Sequence, residues 1–452
     1  MLSIPSDQNS KLTFQELDLD LGCGSCVLLR CILIILDAGK TLSARRWHAS
    51  FSQDGYLDIA KVLRRIQRGG VHPSIKGVVW EFLLGCYDPN STFEERSLIK
   101  EQRRQRYRMW KSECQMMVSV IGSGRFIATP LLDDDGLPID QSLIGLPISD
   151  KKTRQWMQTL HQIGLDVVRT DQALVFYETE SNQAKLWDVL AVYAWMDNDI
   201  GYVRGMNDIC SPMVILLDNE ADSFWCFERA MRRMRENFRT NASSMGVQLQ
   251  LSTLSQIMKT VDPRLHQHLE DLDGGEYLFA FRMLMVLFRR EFSFVDTLYL
   301  WELMWAMEYD PNMFSLYEEY EDTKREDYVP ALNDKLLKKY GKFQRKNLKT
   351  GNTEQQLNTL SVFLVASVLE IKNRRILKEA KDVDDVVKIL GDITSHLDAK
   401  KACDEALKIH KKYLSKGIVN AKSHGAEVAS IFADISILSR HLRRVQDLPL
   451  LA

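Results

Sequence analysis

An all-α fold is the class that the sequence predicts, and three observations support it. Apolar residues recur at helical spacing from about residue 70 to residue 308, strand-like alternation is scarce, and no repeat of about 20 to 50 residues is visible. The composition suits a soluble protein with a sizeable core, since 45% of the 452 residues are hydrophobic and 27% are charged. We therefore expect a large helical domain with a helical C-terminal extension.

Four regions are expected along the chain. They are an N-terminal lead at 1–40, a helical domain at 41–330, a helical C-terminal part at 331–415 and a tail at 416–452. The segment 309–358 is rich in charge and predicts a linker or a solvated helix–loop segment. Helical spacing of apolar residues returns at 357–369 and at 383–414.

The first clear helix follows the break at Gly69-Gly70. One apolar face is formed by Ile75, Val78, Val79, Phe82 and Leu83. Pro73 suits the first turn of this helix and Gly85 suits its end.

A second helix is predicted over 206–214, although Pro212 interrupts its pattern. Proline is tolerated near a helix start because the first four N–H groups lack helical partners. Pro212 would lie near the start if Asn207 or Asp208 capped this helix, and we therefore expect one of them to be the cap.

Two further helices are predicted in the last third of the domain. Apolar residues alternate by three and four from Leu278 to Phe292, which predicts one helix. Ser293 and Asp296 resemble a capping box for the next helix, with its apolar side facing inward. That side consists of Leu298, Trp301 and Trp305. The glycine- and aspartate-rich segment 121–138 predicts a loop or a surface insertion.

Charge and cysteine usage limit the possible partners. The 59 basic and 61 acidic residues give a net charge of −2, which provides no general attraction to nucleic acid. Most of the eight cysteines stand singly in apolar stretches, as expected in a reducing compartment. Cys23 and Cys26 form one CxxC without a second pair, so no metal site is expected. The apolar run 27–36 is too short for a bilayer span, and we expect a cytoplasmic protein that reaches membranes through a partner.

Familiar catalytic motifs are missing from the sequence. It contains no phosphate-binding P-loop, no GxSxG elbow and no HExxH pair. His266 and His268 are too close to share a helix face, and His161 is isolated, as structural histidines usually are. These observations give no support for an enzyme of its own.

Two segments attract attention for other reasons. In 163–170, Asp166 and Arg169 are three residues apart, so on a helix they face the same side. An ordinary surface ion pair is the simplest interpretation of that pair. In 201–208, Gly201 and Gly205 permit unusual backbone angles or close approach of another chain, although a plain turn between helices also explains them.

Together with a third segment, these two resemble the TBC domain of Rab GTPase-activating proteins. Residues 76–85 are similar to the family motif RxxxWxxLLG, with Lys76 and Trp80 at its Arg and Trp positions. The motif IxxDxxRT is matched by Ile163, Asp166, Arg169 and Thr170, and YxQGM is matched by Tyr202, Gly205 and Met206. The resemblance spans about residues 40 to 310 and includes the segment 288–292. Within it, the segment 47–96 looks most like plant members of the family.

The resemblance implies a GTPase activator rather than an enzyme in its own right. Family members supply an arginine and a glutamine to a GTP-bound Rab, and the arginine corresponds to Arg169. Asp166 is then expected to orient Arg169. The residues expected to support the site are Asp166, Thr170, Tyr202, Gly205, Met206, Lys76 and Trp80.

Two positions depart from the family pattern. Arg204 stands where the family has glutamine, and a guanidinium only donates hydrogen bonds, whereas an amide also accepts them. Lys76 replaces an arginine and keeps the charge without the bidentate geometry, and we expect it to serve packing or an ion pair.

Three functions remain open from the sequence. The first is activation of a Rab GTPase in vesicle trafficking, with Arg169 as arginine finger. The second is a catalytically weakened Rab-binding adaptor, favoured by Arg204, and the third is a helical scaffold without a GTPase partner. No cofactor is expected on this chain, because GTP and Mg²⁺ would belong to the GTPase. Membrane contact would be indirect, peripheral on endomembranes through the Rab.

Overall fold

Helices make up every regular element that the computed structural model describes. It describes residues 41–128, 151–239, 246–319, 338, 340, 345, 360–391 and 398–423. The α-helices are α1 (Ala44–His48), α2 (Ile59–Gly69), α3 (Lys76–Leu83), α4 (Phe93–Met117), α5 (Lys151–Arg169), α6 (Glu180–Met196), α7 (Met206–Leu216), α8 (Glu220–Phe238), α9 (Gly246–Val261), α10 (Pro263–Asp271), α11 (Phe281–Met285), α12 (Phe294–Met307), α13 (Met313–Glu319), α14 (Leu360–Glu379), α15 (Val383–Gly391) and α16 (Ala399–Ser423). The predicted all-α class is confirmed.

The first helix begins and ends as the sequence predicts. A 3₁₀ turn at Pro73–Ile75 leads into α3, and Gly85 follows its end with φ 77°. Val79, Phe82 and Leu83 are buried, whereas Val78 is 44% exposed and lies off the buried face. The predicted helix is therefore confirmed, with a narrower apolar face than its spacing suggests.

Two long helices support the region that carries the candidate site. The helix α4 opens with a capping box in which Thr92 and Glu95 exchange hydrogen bonds, and it packs on α6 and α8. The helix α6 is buried from Leu186 to Ala194, so it forms a central rod of the core. Around it pack α5, α7 and α8. The helix that ends at Arg169 and the helix that follows Arg204 are thus both packed on a buried element.

The predicted helix over 278–292 is wrong as a single element. The chain forms a 3₁₀ turn at Leu278–Ala280 and the short α11, and then turns with Leu287 at φ 47° and Phe288 at φ 60°. Leu278 is 60% exposed, while Phe288 and Phe292 are buried. The left-handed turn at Leu287 and Phe288 buries both phenylalanines, and their spacing of four residues is the same as on one face of a helix. The next helix, α12, has the predicted cap at Ser293.

The cap predicted for α7 is also wrong. This helix starts at Met206 with Gly205 at its N-cap, and Pro212 lies in its interior rather than in its first turn. The side chain of Asn207 is not used as a cap, because its Oδ1 accepts from the N–H of Gly205. Pro212 therefore removes one helical hydrogen bond from the middle of α7.

The C-terminal helices pack on the rest of the fold. The helices α14 and α16 pack on each other and on α9, and α16 also contacts α12. The helical patterns predicted at 357–369 and 383–414 are found as α14 and as the two separate helices α15 and α16. The charged segment contributes α13, whose Glu318 pairs with Arg103 and Arg229 at 2.6 Å each.

Several predictions lie outside the described residues. They concern the lead 1–40 with its CxxC and apolar run, most of the loop 121–138, the greater part of 309–358, and the tail beyond residue 423. Within the part of the chain that the structure does describe, every helix is too short or too polar to cross a bilayer.

The buried carboxyl group of Asp188 on α6 gives the fold a pH-dependent contact. Its oxygens accept from Lys111 Nζ at 2.8 Å and from the N–H of Gly122 at 3.0 Å. Burial is the largest effect on this group and raises the pKa of Asp188 to about 6, although Lys111 acts in the opposite direction.

We expect this group to make the fold less stable as pH rises. A carboxyl pKa higher in the folded state than its ordinary value near 4 means that folding binds a proton, so stability is lost as pH rises from about 4 to 6. Asp188→Asn should remove up to about 3 kcal/mol of that dependence. Urea unfolding of both proteins from pH 4 to 7 measures it, and parallel profiles would contradict the assignment.

Candidate functional site

Arg169 is the last residue of α5, and its side chain is exposed. Within the described part of the chain, it makes no hydrogen bond or ion pair. Its helix is fixed tightly, because Gly164 meets the backbone so closely that an added Cβ would lie 1.8 Å from the carbonyl oxygen of Ile127. An exposed guanidinium thus projects from a firmly held helix end.

The end of α5 is joined to the start of α7 by buried polar groups. The hydroxyl of Thr170 donates to the carbonyl of Asp166 at 2.7 Å and accepts from Asn207 Nδ2 at 3.0 Å. The other end of the Asn207 amide accepts from the N–H of Gly205 at 3.0 Å. Asn207 therefore connects the segment after Arg169 with the segment after Arg204, a role that sequence spacing does not indicate.

The carboxylate of Asp166 is buried and has three partners. Its Oδ2 accepts from the hydroxyl of Tyr202 at 2.9 Å and from Gln162 Nε2 at 3.2 Å, and its Oδ1 accepts from Arg204 Nε at 3.1 Å. The expectation that Asp166 orients Arg169 is wrong in this structure, because Arg204 takes that position. Burial, followed by Asp166, raises the pKa of the Tyr202 hydroxyl, so it stays a donor.

Arg204 is accessible to solvent, although its partner Asp166 is buried. Its side chain is 59% exposed, and the ion pair with Asp166 uses Nε alone. The Asp166 carboxylate is only 5% exposed, so moving the guanidinium toward a ligand would leave a buried carboxylate without its cation, at a cost in free energy. Both exposed arginines thus flank the same buried network, one attached through its helix and the other through the Asp166 carboxylate.

Gly205 occupies a position that only glycine fits well. Its φ is 106°, and an added Cβ would lie 2.9 Å from Val286 Cγ1. The next residue, Met206, is fully buried, and its sulfur accepts from the N–H of Val203 at 3.4 Å. The GM pair of the third motif therefore sets the path of the backbone that carries Arg204.

Lys76 and Trp80 belong to a different part of the molecule. Lys76 Nζ and Trp80 Nε1 both donate to Glu302 Oε1, at 2.5 Å and 3.0 Å, and the N–H of Val71 donates to Glu302 Oε2 at 3.0 Å. All of these side chains are buried, and the bonds join α3 to α12. These contacts stabilise the fold and do not bring Lys76 or Trp80 to Arg169.

Comparison with known proteins agrees with this architecture. Residues 144–317 match the family model of the Rab-GTPase-TBC domain. Rab GTPase-activating protein 22 of Arabidopsis thaliana is 31% identical, over 59% of this chain and 66% of its own length. TBC1 domain family member 17 of Homo sapiens is 31% identical, over 62% of this chain and 39% of its own length. The crystal structure of the Ypt/Rab-GAP domain of Gyp1p has a TM-score of 0.56 at 17% identity, covering 84% of this chain and 99% of that one.

The helical fold and the matched segment together define a TBC domain. The chain contains a domain of the Rab-GTPase-TBC family, at residues 144–317. It spans 66% of the Arabidopsis relative and 39% of the human one, so it matches part of each.

Gly205 and Gly201 provide a matched pair for testing the backbone of this site. Gly201 also has positive φ, 63°, but an added Cβ there meets nothing within 4 Å. Gly201→Ala should therefore lower the free energy of unfolding by about 1 kcal/mol, because alanine is less stable than glycine in a left-handed conformation. Gly205→Ala adds a clash with Val286 and should cost about 1–3 kcal/mol more. Urea unfolding measures both, and equal losses would show that Gly205 is not sterically required.

Proposed function

We propose that this chain accelerates GTP hydrolysis by a Rab-family GTPase, with Arg169 as the arginine that enters the nucleotide pocket. The observation that carries the proposal is an exposed arginine without an internal partner in the described residues, on a helix end held by buried hydrogen bonds. An arginine kept in an internal ion pair would have to break that pair before reaching a phosphate. Arg169 has no such cost.

The chemistry assigned to Arg169 is charge stabilisation. In phosphoryl transfer, negative charge develops on the oxygens of the transferred group, and an arginine supplied by a partner raises the rate by about 10³–10⁵. That acceleration corresponds to roughly 4–7 kcal/mol of barrier. The planar guanidinium suits two phosphate oxygens at once, which a lysine ammonium does not. The nucleotide and Mg²⁺ are carried by the GTPase.

The second finger of the family pattern is a glutamine, and this chain has Arg204 in its place. A guanidinium donates hydrogen bonds and accepts none, so it cannot accept one from the attacking water. We infer that the GTPase's own glutamine orients the water, as it does in other small GTPases. Arg204 would then add a second positive charge near the phosphates after leaving Asp166.

The partner follows from this chemistry. The GTP-bound form is the one with a γ-phosphate to stabilise, so the chain should bind a Rab in its GTP form. Contact with membranes would be indirect, through the membrane-bound Rab, which places the chain in the cytoplasm or peripherally on endomembranes. Its role would then lie in vesicle and membrane trafficking.

An adaptor that binds Rab-GTP with little catalysis is the second candidate. Arg204 favours it, because loss of one oriented transition-state contact commonly costs about 2.7–4 kcal/mol. The free guanidinium of Arg169 opposes it, since binding alone does not require that group. A plain scaffold without a GTPase partner leaves both exposed arginines unexplained.

Single-turnover GTP hydrolysis by a panel of Rabs tests the proposal. We expect the protein to accelerate hydrolysis by at least one Rab, and Arg169→Ala to lower that acceleration by about 10³-fold or more. Arg169→Lys should recover little of it, because the fork geometry is lost. Arg204→Gln should increase the rate if the missing acceptor limits catalysis.

Arg154→Ala is the matched control, since Arg154 is also exposed and lies near the other end of α5. Its rate should equal that of the unmodified protein. If the unmodified protein and Arg169→Ala are equally inactive while Rab-GTP still binds, the adaptor function replaces the proposal. If no Rab binds, the function that remains is a helical scaffold without a GTPase partner.

A further inference from the structure

A third segment, distant in sequence, contacts both finger-bearing segments. It comprises residues 286–292, which we name the brace. Leu287 and Phe288 have φ of 47° and 60°, a conformation that costs non-glycine residues about 1–3 kcal/mol each. The surroundings hold it in place, because the carbonyl of Leu287 accepts from Trp301 Nε1 at 2.8 Å and the Phe288 side chain is fully buried. Such strain is retained where a defined backbone shape is required.

The first contact of the brace is with the segment that follows Arg169. The guanidinium of Arg289 is buried and forms an ion pair with Asp171, two residues after Arg169. The other oxygen of Asp171 accepts from Ser211 Oγ on α7 at 2.5 Å. Asp171 itself has a positive φ, 49°, so these bonds hold a strained residue beside the end of α5.

The second contact is with the segment that follows Arg204. Arg290 donates through Nε and a terminal nitrogen to Asp208 Oδ2, at 3.1 Å and 2.7 Å. Asp208 lies in the first turn of α7, four residues after Arg204. Val286, at the other end of the brace, packs against Gly205. Two consecutive arginines thus reach the two backbones that carry Arg169 and Arg204.

We propose that Arg289 and Arg290 are positioning residues that fix the separation of the two fingers through Asp171 and Asp208. This inference rests on the proposed function of Arg169 and Arg204. Its physical basis is geometric, because a misplacement of about 1 Å at a reacting group can cost about 100-fold in rate. Neither brace arginine has to touch the nucleotide. Arg289 carries the stronger effect, since it is buried while the side chain of Arg290 is 41% exposed.

Lysine substitution separates positioning from plain stabilisation. Arg289→Lys keeps the charge but loses the planar guanidinium, which stacks on the Phe294 ring and donates from one terminal nitrogen to Asp171 Oδ1. We expect kcat of Rab-stimulated hydrolysis to fall about 10- to 100-fold, with KM for the Rab within about threefold, because the docking surface is retained. Arg290→Lys should have a smaller effect in the same direction. Asp171→Asn combined with Arg289→Lys should be no worse than the more severe single variant, as expected for one shared contact.

Arg104→Lys is the matched control. Arg104 also pairs with a carboxylate, that of Asp222, through two nitrogens at 3.0 Å and 2.7 Å, but this pair joins α4 to α8 and touches neither finger segment. It should change stability without lowering kcat per folded molecule. Equal losses of kcat in Arg104→Lys and Arg289→Lys would overturn the inference.

Amide hydrogen exchange gives a readout that does not depend on activity. The N–H of Leu174 is bonded to the carbonyl of Asp171, and the N–H of Asp208 to that of Gly205. Arg289→Lys should speed exchange in peptides covering 170–176, and Arg290→Lys in those covering 205–210, with the remaining peptides unchanged. Exchange that rises throughout the chain would overturn the inference. If no Rab is stimulated by the unmodified protein, the proposed function falls, and the exchange pattern still decides whether the brace fixes these segments.

Discussion

The geometry of the site depends on a buried carboxylate and a buried amide shared by two helices. Asp166 on α5 accepts from Tyr202 and Arg204, and Asn207 on α7 donates to Thr170 while accepting from Gly205. A buried polar group that is left unpaired costs about 1–3 kcal/mol. Separating the two segments would leave these groups unpaired, so their hydrogen bonds hold the segments together. This network therefore determines where the two exposed arginines, Arg169 and Arg204, lie.

The rest of the fold supports that network at two places. Gly164 lets α5 meet the backbone at Ile127, and Gly205 lets α7 begin against Val286. Neither position has room for a side chain, so α5 packs directly on the backbone of Ile127 and the start of α7 packs on the Val286 side chain. The ion pair of Lys76 with Glu302 acts elsewhere, where it joins α3 to α12. The three family motifs therefore divide into one that stabilises the fold and two that build the site.

Local patterns predicted the helices well and the contacts between them poorly. Proline at the start and glycine at the end identified α3, and Ser293 with Asp296 identified α12, because capping acts within one turn. The helix expected at 278–292 failed because the left-handed Leu287 is stabilised by Trp301, fourteen residues away. The pairing of Asp166 with Arg169 failed for the same reason. Its competitor, Arg204, is 38 residues distant and invisible to helical spacing.

The two arginines differ in what each must give up in order to act. The Arg169 side chain has no contact to break in the described structure, so under the proposed function its full interaction with a phosphate would lower the barrier. Arg204 would have to release Asp166, whose remaining side-chain partners among the described residues are the neutral donors Tyr202 and Gln162. A buried carboxylate that loses its cation becomes less stable, so Asp166 opposes the movement of Arg204 toward a substrate and favours its return. Under the proposed function, the same carboxylate would therefore make Arg204 the weaker of the two arginines, in addition to its inability to accept a hydrogen bond.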